Sequence, residues 1–66
     1  MVVIINGKEE TVASGMTLLG YLESAGYKFD VVVVEYNARI VDRDRWAEIR
    51  LADGDSLEIV SFVGGG

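Results

Sequence analysis

The chain of 66 residues contains no cysteine, no histidine and no proline. Without cysteine there is no disulfide, no thiolate zinc site and no iron–sulfur cluster. Without histidine as well, carboxylates are the only side chains left to bind a metal, and they favour hard cations. Serine–histidine and cysteine–histidine nucleophile pairs are excluded on the same ground. Bases are few: six Lys and Arg stand against eleven Asp and Glu, a net charge of −5. Lys8, Lys28, Arg39 and Arg50 are scattered, and only Arg43 and Arg45 lie close together. Nucleic-acid affinity rests on clustered cations, so no nucleic-acid partner is expected. An acidic domain is steered instead toward basic protein surfaces. Long apolar runs are missing too, the longest being Met1–Ile5 and Val31–Val34, and neither end carries a signal-peptide pattern. No membrane association is expected, and the cytoplasm is the default location.

What is present suffices for one small core, since 50% of the residues are apolar. Met1–Ile5 and Lys8–Val12 flank Asn6-Gly7, the strongest short hairpin signal, because both turn residues tolerate positive φ. The continuous apolar run Val2–Ile5 predicts a central strand buried on both faces. Ser14-Gly15 breaks this pattern. Thr17 is the expected N-cap of a short helix, with Met16 and Tyr21 as its hydrophobic staple. Leu18, Leu19, Leu22 and Ala25 fall on one helical face, and Gly26 suits a left-handed C-cap. Gly20 inside that helix costs about 1 kcal/mol relative to alanine. Val31–Glu35 predicts a further strand, Asn37 a turn, and Arg39-Ile40-Val41 a short strand pairing back. Asp42–Ala47 reads as a turn or single helical turn with Trp46 facing inward. Asp53-Gly54 marks another turn; with Asp55 it lacks the remaining ligands of a calcium loop and reads as a solvated turn. The last strand is expected over Ser56–Val63, with Leu57, Ile59 and Ser61 alternating against Ser56, Glu58 and Val60. The pattern is α+β: one helix packed on one small mixed sheet.

The chain closes on Gly64-Gly65-Gly66, directly after the apolar run Ile59–Val63. Core packing has no use for glycine there, since it packs nothing and loses the most entropy when ordered. A tail without side chains can thread a narrow channel, and three extended residues span at most ~10 Å. It would place a terminal carboxylate beside a reactive centre in another protein. Glycine-rich ends are also commonly frayed or artificial. Composition alone leaves both readings open. Phe62 and Val63, just before the glycines, either finish the core strand or present an apolar docking patch beside the tail.

The wider pattern favours the first reading. Glu35-Tyr36-Asn37-Ala38-Arg39-Ile40-Val41, Arg45-Trp46, Leu51-Ala52-Asp53-Gly54-Asp55, Glu58-Ile59-Val60 and the closing Val63-Gly64-Gly65-Gly66 together resemble the ThiS family, the sulfur-carrier proteins of thiamine biosynthesis. The Asn6-Gly7 turn and the Thr17-Leu18-Leu19 helix start fit as well, so the resemblance covers essentially the whole chain. It implies a ubiquitin-like β-grasp fold, with a globular body over residues 1–63 and a flexible tail over 64–66. It also implies a carrier acted on by others and not an enzyme. The carboxylate of Gly66 would be adenylated by an ATP-dependent, ThiF-type adenylyltransferase. Sulfur from a cysteine-derived persulfide would convert it to a thiocarboxylate, and a ThiG-type thiazole synthase would consume that sulfur. Gly64 and Gly65 would thread into the partner active sites, with Phe62 and Val63 docking beside them. No cofactor is bound by the carrier itself; ATP belongs to the adenylyltransferase. A carrier serving molybdopterin or another thiocarboxylate route, a ubiquitin-like modifier, and a non-catalytic β-grasp binding module are the alternatives. The sequence departs from the family pattern at Gly20, where a better helix former is expected, and at Asp42, where members often have proline. Gly64 is one glycine beyond the minimal pair.

Overall fold

The computed structural model of the chain describes residues 1–62. Its elements are β1 (Val2–Ile5), β2 (Lys8–Thr11), α1 (Leu18–Ser24), β3 (Val32–Tyr36), β4 (Arg39–Val41) and β5 (Ser56–Ser61). Short 3-10 segments occupy Phe29–Val31 and Arg43–Glu48. Asn6 and Gly7 take φ of 51° and 82°, and the reversal they make pairs Val2 with Thr11 through Ile5 with Lys8. Asn37 and Ala38, at φ of 49° and 72°, do the same between β3 and β4. The strands form one five-stranded sheet in the order β2-β1-β5-β3-β4. β1 and β5 run parallel at its centre, and the other neighbours are antiparallel.

Alternation along the strands sends Val3, Ile5, Val34, Leu57 and Ile59 to one face, where Leu18, Tyr21 and Leu22 of α1 cover them. Trp46 closes the core at 2% exposure, its Nε1 donating to the Val41 carbonyl at 3.3 Å. Phe29 meets the indole edge-on, with ring centroids 5.5 Å apart.

The helix is defined by its two ends. Thr17 Oγ1 accepts the Gly20 amide at 3.0 Å, the N-cap bond that the sequence leads one to expect. At the other end Gly26 donates to Glu23 and Tyr27 donates to Leu22, each at 3.1 Å, with Gly26 at φ 82°. This is the Schellman arrangement, and glycine supplies its left-handed residue without strain. Gly20 also has a local reason. A Cβ there would lie 3.2 Å from Thr17 Oγ1 and 3.7 Å from Met16, so a side chain would crowd the cap it helps to form.

The elements and their burial depart from the sequence expectations in four places. Val2–Ile5 is central in pairing but covered on one face only: Val3 and Ile5 are buried, whereas Val2 is 38% exposed. One helix can cover one face, and burial on both faces belongs to sheets with helices on each side. Ala25 is exposed because the helix ends at Ser24, and Tyr21 takes the buried position instead. The third strand begins at Val32, since Val31 belongs to the 3-10 turn that brings Phe29 to Trp46. β5 ends at Ser61, which is exposed and does not continue the buried alternation of Leu57 and Ile59; Val63 lies outside the described residues.

Asp42 holds φ −71° and ψ 151°, with no capping bond from its side chain, and Val41 before it is in a strand. Those are the conditions proline needs at a position and at the residue before it. Asp42→Pro is therefore expected to stabilise the fold by about 0.4–1 kcal/mol through the unfolded chain, measured by urea unfolding.

Candidate functional site at the root of the C-terminal tail

β5 carries the chain toward the glycines, so whatever fixes β5 fixes the origin of the tail. On one side its register with β3 runs from Val32 opposite Ser61 to Tyr36 opposite Leu57. One further bond, from the Phe62 amide to the Val31 carbonyl at 2.6 Å, extends this side to the last described residue. On the other side β1 is shorter, pairing only Ile4 with Ser56 and Ile5 with Leu57 before the chain turns away. Asn6 then completes the ladder. Its amide donates to the Leu57 carbonyl at 2.8 Å, its Oδ1 accepts the Ile59 amide at 2.7 Å, and its Nδ2 donates to the Ile59 carbonyl at 3.2 Å. A side-chain amide carries both an NH2 donor group and a carbonyl acceptor, and it stands in for the strand residue that the turn removes.

The start of β5 is held by a second asparagine. Asn37 Oδ1 accepts the Ser56 amide at 2.9 Å, and its own amide donates to the Ser56 carbonyl at 2.8 Å. Asp55 gathers this corner: one carboxylate oxygen accepts the Tyr36 hydroxyl at 2.7 Å and the Ala52 amide at 2.8 Å, and the other accepts Asn37 Nδ2 at 3.2 Å. Burial pushes the Asp55 carboxyl up, but the bonds from Ala52, Tyr36 and Asn37 outweigh it and hold the group below its ordinary value. The Tyr36 hydroxyl is pushed up, first by that bond and then by burial. Asp55 thus anchors a corner where the sequence suggests a solvated turn, and Asp53 beside it accepts the Val2 amide at 2.7 Å. On the helix side, Tyr21 donates to Glu10 at 3.0 Å, and burial followed by that bond pushes its hydroxyl up to about 12.

The face of the sheet away from α1 is uncovered. Val33, Val60, Ile40 and Phe62 are 38%, 50%, 69% and 59% exposed. Phe62 therefore does not finish the core; it stands in solvent beside the point where the tail begins. Of the residues expected to form the site, Phe62 alone is described, while Val63, Gly64, Gly65 and Gly66 lie outside the described residues. The clamps at Asn6, Asn37 and Asp55 are not among the expected site residues. Their sequence signal is that of turns, and nothing local reveals that the same side chains reach β5.

A mixed five-stranded sheet with parallel first and last strands and one helix across a single face is a ubiquitin-like β-grasp domain. The chain belongs to the ThiS family, whose profile matches residues 3–66. It is 41% identical over its 66 residues to the thiazole synthase of Paramagnetospirillum magneticum, and spans 20% of that protein. It is 42% identical over 50 residues to the sulfur carrier protein ThiS of Bacillus subtilis, covering 76% of each chain. The crystal structure of the thiamine biosynthesis protein ThiS from Geobacter metallireducens superposes with a TM-score of 0.84 at 30% identity, over 100% of both chains. The chain thus spans about a fifth of the length of the thiazole synthases it resembles. Among the described residues no helix is long and apolar enough to cross a membrane.

Two outcomes follow from the clamps. Asn6→Gly keeps the positive φ but leaves both Ile59 backbone groups without their side-chain partner. It should cost about 1–3 kcal/mol for two hydrogen bonds, with faster hydrogen exchange at the Ile59 amide. Because the folded Asp55 carboxyl lies below its ordinary 3.8, its stabilisation is present above that pH and is lost as pH falls through the lower folded value. Asp55→Asn should lower stability at neutral pH and flatten its dependence on pH in the acid range, as followed by thermal melts across that range.

Proposed function

We propose that the chain is a sulfur carrier for thiazole assembly and that the Gly66 carboxylate is the group that is loaded. The observation that carries this reading is the family match, which runs through Val63-Gly64-Gly65-Gly66 to residue 66. Kinship to thiazole synthases over the whole chain supports the thiazole route over molybdopterin and other thiocarboxylate routes.

In this reading residues 1–63 form the body and 64–66 the reactive tail. A carboxylate is a poor electrophile, so a partner ThiF-type adenylyltransferase joins it to the α-phosphate of ATP and releases pyrophosphate. Sulfur from a cysteine-derived persulfide then attacks the acyl carbon, and the bond to AMP breaks. A thiol cleaves the resulting acyl disulfide and leaves the thiocarboxylate, which thiazole synthase consumes. ATP binds the adenylyltransferase, and the chemistry belongs to the cytoplasm where these partners work. The carrier contributes no nucleophile, base or cofactor. Its part is to hold β5 rigid from Ser56 to Phe62, to dock through Phe62 and Val63, and to offer in Gly64 and Gly65 a backbone thin enough to enter a channel.

Deleting Gly66, or extending the chain beyond it with a tag, is expected to abolish carrier-dependent ATP–pyrophosphate exchange by the adenylyltransferase while leaving circular dichroism unchanged. Gly65→Leu should block the exchange as well, with no loss of stability. Exchange at the wild-type rate by the deletion or the tagged chain would contradict Gly66 as the site.

A further inference from the structure

The uncovered face of the sheet carries charge of one sign. Strand alternation places Glu9, Glu35 and Glu58 on it and turns Lys8 and Arg39 to the opposite side. Glu35 and Glu58 stand directly opposite each other across the β3–β5 pair, with Ile40 on the other side of Glu35. Like charges in that relation are destabilising. Neither takes part in the ion pair found among the described residues, Arg45 with Glu48. One step further along the same two strands Val33 faces Val60, and the next step along β5 reaches Phe62. Same-face neighbours on a strand are about 7 Å apart, so an acidic pair, an apolar pair and an exposed phenylalanine follow in a line of about 14 Å. Its last member, Phe62, is two positions before the first of the closing glycines in sequence.

We propose that Glu35 and Glu58 together receive an arginine of the adenylyltransferase while Val33, Val60, Ile40 and Phe62 bury against an apolar surface beside it. The inference rests on the carrier reading and specifies the chemistry of the partner. Two carboxylates facing each other fit a planar guanidinium, which can donate to both, better than the point charge of lysine. Docking removes water from the apolar line, and the adjoining carboxylates then need a cation to offset their desolvation. A second copy of this chain cannot supply it from the same face, which brings only more acids. An anionic membrane or a nucleic acid is repelled.

The test measures binding of the intact carrier to its adenylyltransferase by calorimetry at low and high salt. Glu35→Gln and Glu58→Gln are each expected to weaken binding about tenfold or more and to reduce its salt dependence. Both should raise the melting temperature of the free carrier by relieving the repulsion. Glu23→Gln, on α1 behind the sheet, should leave affinity unchanged. Glutamine variants that bind as tightly as a wild-type chain that is adenylated normally would overturn the inference and leave the carrier reading intact. A wild-type chain that the enzyme neither binds nor adenylates would contradict the carrier reading itself, and the inference with it.

Discussion

The fold turns on how β5 is held. It lies between β1 and β3, supplies Leu57 and Ile59 to the core, and precedes in sequence the glycines proposed to react. Its neighbour β1 is too short to pair along its whole length, and Asn6 replaces the missing strand with a side-chain amide bonded to both backbone groups of Ile59. Asn37 and Asp55 fix the other end. Both asparagines sit at positive φ, in turns where that residue type is at ease, so two reversals of the chain also serve as clamps. A strand fixed along its length transmits a docked position to whatever follows it, which is what a carrier requires of its body.

This division explains a composition that looks poor for chemistry. A chain without cysteine or histidine has little to offer as a catalyst, yet a carrier needs only a rigid frame and a reactive end. The small core serves the frame: α1 covers one face, Trp46 seals its edge, and the opposite face stays open. That open face is the surface proposed for docking. Its exposed valines, Ile40 and Phe62 share that face with Glu9, Glu35 and Glu58, so the excess of acids visible in the composition becomes local. The acids stand where the proposed docking would bring a basic partner.

Features encoded within a few residues were legible in the sequence. The Asn6-Gly7 hairpin, the Thr17 cap, the Gly26 terminus, the inward Trp46 and the order of the elements follow from turn chemistry and periodicity. The family pattern extended that reading to the β-grasp topology. Features that depend on distant partners were not legible. Asn6 meets Ile59 across 53 positions, and Tyr36 meets Asp55 across 19, so their roles appear only once the sheet is assembled. The apolar run Val2–Ile5 misled for a related reason: its hydrophobicity says that it is paired on both sides, not that both its faces are covered. Half of the run contributes to the open surface.

The end of the chain, and no side chain, is the proposed reacting group. Intact-mass spectrometry after incubation with ATP, the adenylyltransferase and a persulfide donor addresses it directly. A mass gain equal to the replacement of one oxygen by one sulfur is expected, located at Gly66 by fragmentation and lost on transfer to thiazole synthase. An unchanged mass with an active enzyme present, or sulfur found at any other residue, would contradict it.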